Sequence, residues 1–228
     1  MQAGTLAFVF TAVPPPGRVS TAAMLAKAKA APNPTVEALV AEFAKEEREL
    51  GKIESLLQTL ENDYPPPEKA SKAKRALMAD WKLAFAPDES SIAPFATGEA
   101  SGPFAVLEEI YCRIGEGKLQ ICEVVRKIGP FGNTAVSLNS KWSFGLNEAG
   151  VLSWRPQWMI DSRGREVAVP VASAVTNTAR VTHVSDDVLV LRFGNGASYS
   201  VFSRLDKGAL FKALRDDYSV DPDLILGA

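Results

Sequence analysis

The fold is decided by IYCRIGEGKLQIC, residues 110–122. Ile110, Cys112 and Ile114 alternate with Tyr111 and Arg113, the period of a strand with one buried face. Gly115-Glu116-Gly117-Lys118 then reads as a turn. Alternation resumes at Leu119 and Ile121. If the turn pairs Ile114 with Leu119, Cys112 stands opposite Ile121, and Cys122 falls on the other face beside Tyr111. A slip of one residue would reverse every face, so the hairpin predicts a register as well as two strands. It also predicts that the two thiols stay unpaired, because they lie on opposite faces of the sheet.

The same reading extends outward. Trp81, Leu83 and Phe85 alternate on one face of an earlier strand. Later strands are expected at Leu119–Ile128, Val136–Gly145, Arg180–Val184, Val188–Phe193 and Ser198–Phe202, with a weaker one in Glu166–Ala172. Gly194-Asn195-Gly196 suits a hairpin, and Ile128 to Asn133 reads as another turn. Helical segments do not recur between these strands, so parallel crossover units are hard to build. The expectation is a predominantly β chain with a helical N-terminal part, its strands forming an antiparallel β-barrel or a strongly curved sheet. Closure would remove exposed edges, and eight strands leave room for side chains or for one small apolar ligand.

Before the strands the pattern changes. Val36, Leu39, Val40, Phe43, Leu50, Ile53, Leu57 and Leu60 recur near a 3.6 period with charge between them, predicting helix with one apolar stripe. Thr35 is a candidate N-cap, Gly51 a candidate break, and Pro65–Pro67 a stop. A second short helix, Glu68 to Met78, carries Lys69, Lys72, Lys74 and Arg75. The chain thus divides into residues 1–34, a helical segment 35–78 packing on the strands, and residues 79–228 with a short C-terminal helix. Residues 1–34 are Ala-rich and broken at Pro14–Gly17, and residues 1–31 hold no acidic side chain. They suit either an extended segment or part of a targeting leader. The apolar run Leu6–Val13 is about half of a membrane-spanning helix.

Composition excludes several chemistries. Two cysteines and one histidine cannot make a disulfide scaffold or a four-ligand Cys/His metal centre. A net charge of −2, with no dense basic patch among aromatics, argues against nucleic acid. His183 precedes Asp186 and Asp187, but no nucleophile accompanies it, and a solvated histidine at a strand end is the simpler reading. The carboxylate pairs Glu46-Glu47, Glu108-Glu109, Asp186-Asp187 and Asp216-Asp217 are sequence neighbours, which along a strand face opposite ways. No catalytic residue and no metal ligand is assigned.

The aromatics carry more. Trp81, Leu83, Phe85, Trp142 and Phe144 line a barrel wall, which is either a solid core or the wall of an apolar cavity. Trp154-Arg155-Pro156-Gln157-Trp158-Met159 reads as a loop. Its Trp154, Trp158 and Met159 either dock a partner or membrane interface, or fill the barrel end. Lys69, Lys72, Lys74 and Arg75 form a basic surface that suits an anionic membrane, or simply solubilises a helix.

The order of these motifs resembles the plastid lipid-associated proteins, also called fibrillins or plastoglobulins. Ile53 to Asn62 followed by Pro65–Pro67 is similar to the family's leucine and glutamate run before its Asn-Pro segment. Trp81-Lys82-Leu83-Ala84-Phe85 resembles its hallmark strand. Leu119-Gln120-Ile121, Asn133 to Val136 and Asp206 to Phe211 resemble its Gln-Ile strand, asparagine turn and final Gly-x-Leu-Phe element. The family's Arg-Gly step is reduced to Gly51, and Trp154 to Met159 has no counterpart, so a divergent algal branch is the nearest fit. The resemblance implies a lipocalin-like barrel and a plastid location in stroma, thylakoid or plastoglobule. It implies no enzyme activity, and a bound lipid, quinone or carotenoid. It implies association with the thylakoid surface, or a subunit role in a photosynthetic membrane complex.

Overall fold

The computed structural model describes residues 33–101, 104–128, 132–145 and 150–227. The chain divides into two units, Met1–Asp63 and Tyr64–Ala228. The N-terminal zone expected as an extended segment or leader lies, but for its last two residues, outside the described residues.

In the first unit, α1 (Pro34–Phe43) packs on α2 (Leu50–Asp63). The cap of α1 is Asn33, not Thr35. Its side chain accepts from Thr35 N at 2.9 Å, and Pro34 occupies the first turn, where a missing N–H costs nothing. The break between the helices falls at residues 44–49, and Gly51 lies inside α2. What fixes the break is a charge. Glu42 is buried and takes Lys45 at 2.7 Å, Lys52 at 3.1 Å and the Glu49 backbone N–H at 3.3 Å. The Lys45 and Lys52 ammonium groups hold its carboxyl down at about 2.

The second unit is a mixed α/β fold in which a large antiparallel sheet forms a closed ring. It begins with α3 (Ala70–Leu77), so the basic helix belongs with the strands. The strands are β1 (Asp80–Phe85), β2 (Ala105–Ile114), β3 (Lys118–Lys127), β4 (Asn133–Gly145), β5 (Val151–Ile160), β6 (Glu166–Val167), β7 (Asn177–Val184), β8 (Val188–Phe193) and β9 (Ser198–Arg204). The short β6 hangs on β5, and eight strands close the ring. Each pairs with its neighbours along the chain, and β9 returns to β1. Next-neighbour order needs only short connections, and closure leaves the eight strands no free edge. The deciding hairpin has the expected register: Ile114 opposes Leu119, Cys112 opposes Ile121 and Tyr111 opposes Cys122. The weak strand in 166–172 shrinks to two residues, and most of the Ile128–Asn133 turn lies outside the described residues. The ring is irregular rather than a regular barrel. Its register shifts at Leu83/Phe85, Leu107/Glu109, Asn139/Ser140 and Val181/His183.

Alternation sends Trp81, Ile110, Cys112, Leu119, Ile121, Leu138, Trp142, Leu152, Trp154, Val181, Leu191 and Phe202 into one buried inner cluster. Leu77 of α3 joins it from one side, and Phe95, between β1 and β2, joins it from another. The outer face of β2, β3 and β4 has a second cover. There Tyr111, Cys122, Val124 and Ala135 meet Leu210, Leu214, Ile225 and Leu226. These come from α5 (Ala209–Lys212), the π-type turn after it (Ala213–Asp217) and α6 (Pro222–Leu226), where one short helix was expected.

Candidate ligand site inside the ring

The wall residues expected from the sequence separate on the bulge in β1. Trp81 is fully buried, and its indole Nε1 donates to Leu77 O at 2.9 Å, the last carbonyl of α3. Leu83 is half-buried against the inner cluster. Phe85 is not in it. The shift after Leu83 sets Phe85 opposite Val201 and against the Tyr199 ring, 6.1 Å between centroids, whereas Leu83 opposes the inner Phe202. One extra residue thus breaks the shared face that strict alternation predicts. Trp142 belongs to the inner cluster, donates from Nε1 to Gly115 O at 2.8 Å, and lies 5.2 Å from the Lys74 ammonium. Phe144 packs half-buried on the same cluster.

The segment Trp154 to Met159 is strand, not loop. Its proline is absorbed by a shift in register: Ser140 opposes Pro156 and Asn139 opposes Trp158, leaving Gln157 extra. Trp154 is 1% exposed and points inward, so it does not join an exposed docking set. Trp158 is half-buried beside the Lys118 ammonium at 5.9 Å, and Met159 packs on the inner cluster. The side chains of Lys69, Lys72, Lys74 and Arg75 are exposed around α3.

The structure of the β1–β2 connection was not legible in the sequence. It contains α4 (Glu89–Ile92) and a tight turn Ala93–Phe95. Asp88 caps α4 by accepting from Ser91 N at 2.8 Å. Ser91 in turn accepts from Tyr199 N on its hydroxyl and from Ser200 Oγ on its carbonyl. Phe95 then enters the ring. It stacks on Trp154 at 5.4 Å and meets the edges of Phe202 at 5.0 Å and Phe193 at 5.8 Å. Glu123 ties down the rest of the connection. It alternates with Ile121 and so faces inward. It accepts from Thr97 N at 2.6 Å, from the Thr97 hydroxyl, and from Ala100 N at 3.2 Å. The one charged residue in the otherwise uncharged run Leu119–Val125 was the available signal.

Two inner polar atoms lack such partners. Ser140 alternates with Leu138 and Trp142 and therefore faces inward. Its Oγ and the Trp154 Nε1 are buried without a hydrogen-bond partner among the described residues. Outside the same strands the polar side chains are satisfied. Ser137 Oγ donates to Ile225 O at 2.6 Å, and Gln120 Nε2 donates to Leu226 O at 3.0 Å and to Asn139 Oδ1 at 3.1 Å. Unpartnered buried polar atoms are uncommon and costly, which sets this pair on one wall apart from the other polar side chains of these strands.

The other reactive groups are quiet. Burial raises the Cys112 thiol well above its usual range and pushes Cys122 up to about 12, so both stay protonated and inert. His183 is buried rather than solvated. The shift after Val181 turns it outward, opposite Val190, and its Nδ1 lies 2.7 Å from the Tyr64 carbonyl, which can only accept. Glu108 and Glu109 pair with different cations, Arg126 and Lys82. Among the described residues no group of three or more His, Cys, Asp and Glu side chains is placed to hold a metal ion. Compared with protein-family models, curated proteins and solved structures, the chain has no match.

Proposed function

We propose that the chain is a non-enzymatic binder of a lipid or isoprenoid, a quinone or carotenoid in class, working in a plastid at the thylakoid surface, in the stroma or in plastoglobules. Its strand unit would act as a lipocalin-like container. The observation that carries this reading is the inner face of the ring. Eight strands without a free edge among them turn an apolar, aromatic-rich surface inward. Such a wall suits an oily molecule, and the inward Cys112 thiol is held protonated by burial. The exposed cations around α3 suit an anionic lipid surface. The test is a titration of delipidated protein with a quinone and with a carotenoid. Saturable one-to-one binding that quenches tryptophan fluorescence is expected. Absence of saturation with both would sink the proposal.

A second reading makes the chain a subunit of a photosynthetic membrane complex. It rests on an apolar strip at the open end of the β2–β3 hairpin, where Phe104, Val106 and Ile128 are exposed together and Ile128 N bonds Phe104 O at 2.8 Å. Comigration of the native protein with a pigment complex, without ligand binding, would favour this reading over the first.

A further inference from the structure

Ser140 and Trp154 lie on neighbouring strands. Trp154 opposes Trp142, and Ser140 is the next inward residue of β4, so the two are diagonal neighbours on the inner wall. Diagonal pairs lie about 7–8 Å apart, within reach of an aromatic side chain. An indole N–H only donates, and a serine hydroxyl can donate. The group that serves both is an acceptor oxygen with two lone pairs. The residues around them, Leu119, Leu138, Trp142 and Leu152, are apolar and supply no counter-charge, which favours a neutral oxygen over a carboxylate or phosphate. Phe95 already covers the Trp154 ring. It is carried on the β1–β2 connection rather than on a strand of the ring, so it can withdraw without breaking a strand pairing.

From this geometry we infer that Ser140 Oγ and Trp154 Nε1 together bind the carbonyl oxygen of a neutral, apolar ligand, whose body replaces the Phe95 ring on Trp154. The inference rests on the container reading and adds to it the head-group chemistry and the contact atoms.

Benzophenone and diphenylmethane are suitable probes, since they share size and shape and differ in the carbonyl. Binding is measured by equilibrium dialysis to the full chain and to its Ser140→Ala and Phe95→Leu variants. Benzophenone should bind about tenfold more tightly than diphenylmethane, a difference that corresponds to one or two good hydrogen bonds. Ser140→Ala should remove most of that preference without lowering the melting temperature. Phe95→Leu should strengthen binding of both probes, which also guards against a closed mouth hiding the site. Irradiation of bound benzophenone should label residues of β4 and β5. Equal binding of the two probes, unchanged in Ser140→Ala, would overturn the inference and leave the container reading standing. No binding of either probe, even to Phe95→Leu, would overturn both. An ordered water bridging the two donors in a crystal grown with benzophenone would overturn the inference alone.

Discussion

Three tryptophans stand inside the ring, and their indole groups are treated differently. Trp81 and Trp142 each give the N–H to a backbone carbonyl, one at the end of α3 and one in the β2–β3 turn. Trp154, under the Phe95 ring, has no acceptor among the described residues. The two faces of β4 repeat the contrast, with Ser137 satisfied by α6 outside and Ser140 unsatisfied inside. Polar groups that serve this fold are completed by backbone atoms left over at element ends. Ser140 and Trp154 are not, which is the contrast the proposed ligand would explain.

The largest way to disturb this contrast is Phe95→Ala. Phe95 is almost fully buried among Trp154, Phe193 and Phe202. Truncation should cost about 3–5 kcal/mol in urea unfolding, because the lost burial adds to a cavity that only partly collapses. A loss below about 1 kcal/mol would mean that the interior already has slack there. Next comes the pair on β4. Ser137→Ala should destabilise by about 1–2 kcal/mol by leaving the Ile225 carbonyl short of a donor, while Ser140→Ala should stabilise by up to about 1 kcal/mol by removing an unpaired hydroxyl. Equal effects of one sign would erase the distinction between the faces. The tryptophans give a finer comparison. Trp142→Phe and Trp154→Phe lose similar volume, but only Trp142→Phe strands a carbonyl, so it should be the more costly by about 1 kcal/mol.

How much of this was visible in the sequence follows from the period of the signal. Ile110 to Cys122 gave strands, turn and register together, because a period of two with a glycine-rich turn leaves one arrangement that buries Ile110, Cys112 and Ile114. Bulges defeated the same logic elsewhere. Phe85 and His183 both follow a shifted residue, and no pattern of residue types announces such a shift. Pro156 misled in the other direction, since a proline at a bulge costs the sheet little. The orphaned pair at Ser140 and Trp154 could not be read at all. A serine and a tryptophan on separate strands become neighbours only through long-range register, and their lack of partners is a property of three-dimensional packing.

The smallest effect concerns charge and compares the two units. In the first, Glu42 has its carboxyl lowered to about 2, so its stabilisation is present above the ordinary glutamate pKa and is lost as pH falls towards 2. In the second, Glu109 has its carboxyl raised, because burial outweighs the pull of Lys82 at 2.6 Å. The sign is therefore reversed. Below the unfolded-state pKa, about 4.3, both states hold the proton and Glu109 contributes no pH dependence. As pH rises past that value the unfolded chain releases its proton first, and stability falls until the folded carboxyl also ionises. Glu109→Gln keeps the side-chain shape and cannot ionise, so its unfolding midpoint should fall less than that of the natural chain between pH 4 and pH 7. Glu42→Gln should instead flatten the acid side of the first unit. If Glu109→Gln steepened the fall between pH 4 and pH 7, the Lys82 pair would be outweighing burial, and Glu109 would behave like Glu42 despite its place under the C-terminal segment.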